Sequence, residues 1–67
     1  MTIGERIKTM RVKKGITQKE LAIKVGYTSR TSIAKLEADK IDIPLSKLVL
    51  LAEALDSTPI ILAGWDK

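Results

Sequence analysis

The chain has 67 residues, no Cys, no His, twelve Lys/Arg against eight Asp/Glu and a net charge of +4. That leaves room for one small domain, residues 1–67, and excludes disulfides and the usual zinc ligands. With only scattered carboxylates on a chain too small for a pocket, no enzyme, cofactor or metal site is expected. No signal-peptide pattern is visible, and the longest apolar run, Leu48 to Ala52, is far too short to span a bilayer. Stability must therefore come from aliphatic helix packing. The charge is uneven: residues 1–35 hold nine Lys/Arg and two Asp/Glu, a balance of +7, and residues 36–67 hold three and six, a balance of −3, giving +4 in all. A basic half beside an acidic half points to a polyanion-facing surface, although a solvated lysine-rich surface has the same arithmetic.

The first predicted helix starts at Thr2, where Thr2 and Glu5 stand in capping-box spacing. Ile3, Ile7, Met10 and Lys14 mark its stripe, with burial ending near Met10 or Arg11. Gly4 reads as a weakness in the first turn, costing up to ~1 kcal/mol against Ala. Lys13 and Lys14 suit the last turn, and Gly15 closes it. Thr17 and Glu20 repeat the capping box, and Ile16 with Leu21 form a hydrophobic staple for a second helix. Its apolar face is Leu21, Ala22 and Val25; Gln18, Lys19 and Lys24 stay polar, and Gly26 stops it.

Thr28 or Ser29 then caps a third helix running to about Ala38. Ile33 and Leu36 face inward, whereas Arg30, Thr31, Ala34 and Lys35 face out. A pair of short helices over about 17–38 with one buried and one short-chained, cationic face reads as a helix-turn-helix, its second helix the one that reads DNA. After the loop 39–43, Pro44 fits only the opening turn of a fourth helix. Leu45, Leu48, Ala52 and Leu55 form its stripe, with Leu51 beside it and Val49 and Leu50 outside. Asp56 to Pro59 is a turn with a cap and a Pro at the first helical position, opening a short helix from Ile60 to Ala63 that Gly64 ends before the tail Trp65-Asp66-Lys67. With no strand signal or repeat, the fold class is all-α with five helices.

The order TQKELAIKVG, a turn, a helix ending in KLE, then PLSKLVLLAEALDSTP and a last short helix resembles the Cro/C1-type helix-turn-helix domain of phage and bacterial repressors, over nearly the whole chain. VGYTSRTSIAKLE and ALDSTPIILAGW are similar to the N-terminal domains of phage CI-type repressors from Gram-positive hosts. The resemblance implies a compact lambda-repressor-like domain in the cytoplasm or nucleoid of a bacterial host, bound to a double-stranded DNA operator. It also implies either a stand-alone regulator or the N-terminal part of a longer repressor whose C-terminal domain follows a Gly-Trp such as Gly64-Trp65. Two departures stand out. Gly26 to Ile33 is one residue longer than in compact members, so base-reading positions are better counted back from Ile33. The family often has Gly after the helix-three Glu, where this chain has Ala38-Asp39.

Arg30, Thr31 and Ser32 in the first turn of helix three, with Lys35 one turn on, are the candidate base contacts. Arg30 can donate two hydrogen bonds to guanine O6 and N7, and otherwise is a phosphate clamp. Candidate phosphate contacts are Gln18, where the resembling family meets the backbone, and Thr28, Ser29 and Lys40. The family pattern also implies a structural ion pair between Arg11 and Glu37. Ile60, Ile61, Leu62 and Trp65, with Val49 and Leu50, give more apolar surface than a small domain readily hides; some must be core, and the rest, with Ile60, Leu62 and Trp65 as candidates, forms either a two-fold dimer interface on a near-palindromic site or, for Trp65, packing across the monomer's end. Other roles on the same fold are an antitoxin, a restriction-control regulator or an activator. A protein-interaction module without DNA binding would show an apolar or acidic helix-three face, and Arg30 with Lys35 argues against it.

Overall fold

Both capping boxes form and set where the first two helices begin. In the computed structural model, which describes residues 1–64, the Thr2 hydroxyl accepts from the Glu5 N–H while the Glu5 carboxylate accepts from the Thr2 N–H at 2.8 Å. Thr17 and Glu20 repeat the exchange. The Thr2 N–H holds the Glu5 carboxyl below its ordinary pKa, and the Thr17 N–H does the same for Glu20. The elements are α1 (Ile3–Lys14), α2 (Gln18–Lys24), α3 (Arg30–Glu37), α4 (Leu45–Ala54) and α5 (Pro59–Ala63). None is long and apolar enough to cross a membrane among the described residues.

The apolar stripes meet in one core. Leu21, Ala22 and Val25 of α2 face Ile33 and Leu36 of α3; Ile7, Leu48, Leu51, Ala52, Leu55 and Leu62 complete the cluster. α2 packs on α3, α1 runs against α3 and α5, and α4 braces α2 and α5. Two details of α4 differ from expectation. Pro44 is the N-cap rather than a helical residue, its carbonyl accepting from the Lys47 and Leu48 N–H groups. Leu45, assigned to the buried stripe, is 72% exposed, because the first turn of α4 extends past the core; Leu51, placed beside the stripe, is at its centre with 0% exposure.

Helix ends divide into two kinds. Gly15, Gly26 and Gly64 take the left-handed conformation, and so do two aspartates, Asp39 (φ 57°) and Asp56 (φ 55°). Asp39 thus occupies the place where Gly is usual, and both aspartates also use their carboxylates elsewhere. The Asp39 carboxylate accepts from the Thr2 hydroxyl at 2.6 Å and the Gly4 N–H at 3.1 Å, capping α1 from the end of α3. Asp56 accepts from Lys14 Nζ at 2.7 Å, which also donates to the Ala54 carbonyl and so caps α4 from α1. That Lys14 bond holds the exposed Asp56 carboxyl below its ordinary pKa.

Gly4, read as a weak point, is instead required. It is buried, and a Cβ there would collide with the Leu36 carbonyl and stand 2.8 Å from that of Glu37. The absent side chain is what lets the end of α3 sit on the first turn of α1.

Candidate nucleic-acid interface

At about 100° per residue, Ile33 and Leu36 put one face of α3 into the core, at 0% and 1% exposure. Thr31 and Lys35, one turn apart, stand nearly opposite and are exposed. Arg30, the first helical residue, is exposed at the edge of that face nearest α2. Ser32 and Ala34 are half-buried, so the outward face is narrower than the sequence pattern suggested. Of the two candidate caps, Ser29 is the N-cap, its hydroxyl accepting from the Thr31 N–H at 3.0 Å. Thr28 is exposed in the preceding turn.

Beside Arg30 lies an open cleft of about 550 Å³ between the end of α1 and the starts of α2 and α3, lined by Arg11, Gly15, Ile16, Thr17, Gln18, Lys19 and Arg30. Gln18 is half-buried, and its side-chain amide donates to Glu37 Oε1 at 3.0 Å. Lys19 is exposed and brings a third cation to the cleft, one that the candidate phosphate contacts omitted. A signal for it exists in the chain. Lys19 and Arg30 lie in the first turns of helices, where the positive dipole end disfavours cations, and α3 has no acidic residue there to compensate. Such a local conflict is expected where a bound anion relieves it.

Behind this surface, Arg11 Nε donates to Glu37 Oε2 at 2.6 Å and Nη2 to Oε1 at 3.2 Å, while Nη1 reaches the Ile16 carbonyl. The two side chains are only 12% and 4% exposed. With Gln18 on the same carboxylate, α1, the start of α2 and the end of α3 meet on one buried anion. Among the described residues, no buried side-chain nitrogen or oxygen lacks a partner.

The remaining candidates divide. Lys40 is exposed just after α3, its N–H donating to the Lys35 carbonyl. Ile60 is 55% exposed, and Ile61, Val49 and Leu50 are exposed as well. Leu62 is 0% exposed: it faces the core from α5 and is withdrawn from the dimer surface. Trp65 lies outside the described residues. No spacing or motif in the sequence singles out Lys47. From α4 its Nζ donates to the Val25 carbonyl at 2.8 Å and stands 4.8 Å from the centre of the Tyr27 ring.

The helix-turn-helix family profile matches residues 7–62. The structure is similar to that of the P22 c2 repressor protein in complex with a synthetic operator, with a TM-score of 0.90, 32% identity and 98% of each chain covered. It is also similar to the restriction-modification controller protein C.AhdI from Aeromonas hydrophila, with a TM-score of 0.84 and 32% identity over 90% of this chain and 89% of that one. A hypothetical transcription factor from Neisseria gives 0.83 and 31%, over 91% of this chain and 69% of that one. No curated protein matches the chain in sequence.

Proposed function

This chain belongs to the Cro/C1-type helix-turn-helix family of DNA-binding transcription regulators, and on that premise we propose that it is a repressor that occupies a specific operator. The observation that carries the reading is the exposed set Arg30, Thr31 and Lys35 on α3, opposite the buried Ile33 and Leu36. In a major groove Arg30 donates to guanine O6 and N7, Lys35 approaches the same acceptors as a point charge, and Thr31 meets a thymine methyl or a base acceptor. Half-buried Ser32 has a lesser part. Gln18, Thr28, Ser29 and Lys40, joined by Lys19, hold phosphates and set the register. The release of counterions makes affinity fall steeply with salt.

Two copies related by a two-fold axis place their α3 helices about 34–36 Å apart, one helical turn of DNA. Exposed Ile60 supplies contact between the copies in this reading. Selecting duplexes from a random pool and titrating the winner across a salt series tests both parts. A near-palindromic consensus with steep salt dependence is expected. Equal affinity for every duplex overturns operator recognition, and an asymmetric half-site bound by one copy overturns the dimer. A second reading, a restriction-control regulator, is favoured by the likeness to C.AhdI. A reporter placed downstream of the selected site separates them: repression supports the first, activation the second.

A further inference from the structure

We infer that Lys47 is a positioning residue for base reading, clamping from α4 the turn that carries α3; the inference rests on α3 being the helix that reads DNA. The turn runs from Gly26, which takes the left-handed conformation, to the Ser29 cap of α3. Its start is well held by backbone bonds, because the Gly26 N–H donates to the Ile23 carbonyl and the Tyr27 N–H to the Ala22 carbonyl. Those two bonds leave the Val25 carbonyl, at the negative end of α2, without a backbone donor among the described bonds. Lys47 Nζ meets that carbonyl at 2.8 Å. The same ammonium stands over the Tyr27 ring, 4.8 Å from its centroid, and within 3.3 Å of where a Gly26 Cβ would be.

One cation therefore holds both the C-cap carbonyl of α2 and the Tyr27 side chain of the turn that follows. Its own helix is fixed, because Leu48 and Leu51 are in the core. Downstream of Tyr27 come Thr28, the Ser29 cap and Arg30, so the position of α3's reading end follows from where the turn is held. Lys47 is half-buried, with one donor on a carbonyl and an aromatic face beneath it, which distinguishes it from the exposed phosphate candidates Lys19 and Lys40.

The test uses the duplex selected from a random pool and a scrambled duplex of equal composition, with wild type, Lys47→Met and Lys47→Arg. Lys47→Met keeps the stem and removes the charge. It should weaken binding to the selected duplex about tenfold, the scale of a misplaced base contact, while leaving scrambled-duplex affinity and the salt slope unchanged. Lys47→Arg, which still donates to a carbonyl and stacks on a ring, should restore selectivity. Equal loss on both duplexes with the salt slope lowered by about one would make Lys47 a phosphate ligand and overturn the inference. A lower Tm with unchanged selectivity would overturn it in favour of a merely structural role. If Lys47→Met does not fold, Tyr27→Leu removes the ring under the cation and must also cost selectivity for the inference to stand. Wild type that ignores both duplexes at low ionic strength sinks the DNA reading itself, whereas variants as selective as wild type sink only the clamp.

Discussion

Glu37 and Arg30 stand at opposite ends of the same eight-residue helix and hold their charges in opposite ways. Glu37 is 8% exposed and accepts from Arg11 and Gln18, so its charge is surrounded by donors from two other elements. Arg30 is exposed, has no ion-pair partner among the described residues, and sits at the helix end where a cation is unfavourable. Removing an anion from the first environment leaves Arg11 stranded in a poorly hydrated place. Removing the cation from the second strands nothing. One end of α3 is thus held within the fold, and the other is left free to meet the polyanion of the proposed function.

The largest expected effect breaks the buried end. Glu37→Ala should destabilise the domain by ~3–5 kcal/mol, read from urea unfolding, because the Arg11 guanidinium loses its carboxylate. Arg11→Met combined with Glu37→Leu should recover much of that. If the double variant unfolds as severely as Glu37→Ala, the pair is not what secures α3.

Seating of the same end on α1 is tested next. Gly4→Ala should cost ~1–3 kcal/mol by overpacking, since its Cβ would meet the carbonyls of Leu36 and Glu37. Thermal unfolding unchanged by this substitution would show that α3 can retreat freely. At Gly15, where nothing lies near a Cβ but φ is +80°, Ala should cost ~1–2 kcal/mol through backbone strain alone.

The exposed end should answer differently. Arg30→Ala should leave unfolding within about 0.5 kcal/mol of wild type yet weaken the selected duplex by ~1–3 kcal/mol and relax preference at one base pair. Equal losses on selected and scrambled DNA would move Arg30 to the phosphate class.

The gentlest effect concerns acid. Glu5, Glu20 and Asp56 have folded pKa values below their ordinary ones, through bonds from Thr2, Thr17 and Lys14 respectively. A carboxyl whose pKa is lowered on folding adds stability above its unfolded value, and that stability is lost as pH falls through the folded one. The urea midpoint should therefore hold from neutrality to about pH 5 and drop below it, and Glu5→Gln with Glu20→Gln should flatten part of the fall. A profile unaltered by those changes would remove the capping carboxylates from the account.

Much of the architecture was legible in the chain because its signals are local. Thr2 and Glu5, Thr17 and Glu20, and Pro59 act within one turn, so spacing alone places the starts of α1, α2 and α5. The periods of α2 and α3 likewise identify Leu21, Val25, Ile33 and Leu36 as core and leave Arg30 and Lys35 outside. Errors arose where a residue's partner is distant in sequence. Leu45 has the right period but is exposed, and Leu62, a dimer candidate on short α5, turns inward. Helix propensity marks Gly4 as a weak point but carries no information about α3 lying against it.

The amino-acid order by itself determined five helices, the capping boxes at Thr2 and Thr17, and a charge division between a basic first half and an acidic second half, because hydrogen bonding within a turn and burial by period need no distant partner. Tertiary structure alone decided that Asp39 caps α1, that Lys14 caps α4 and that Lys47 grips the end of α2. In each, a helix end with unpaired backbone groups is completed by a side chain more than twenty residues away. Only the packing of one helix on another brings such a charge to such an end.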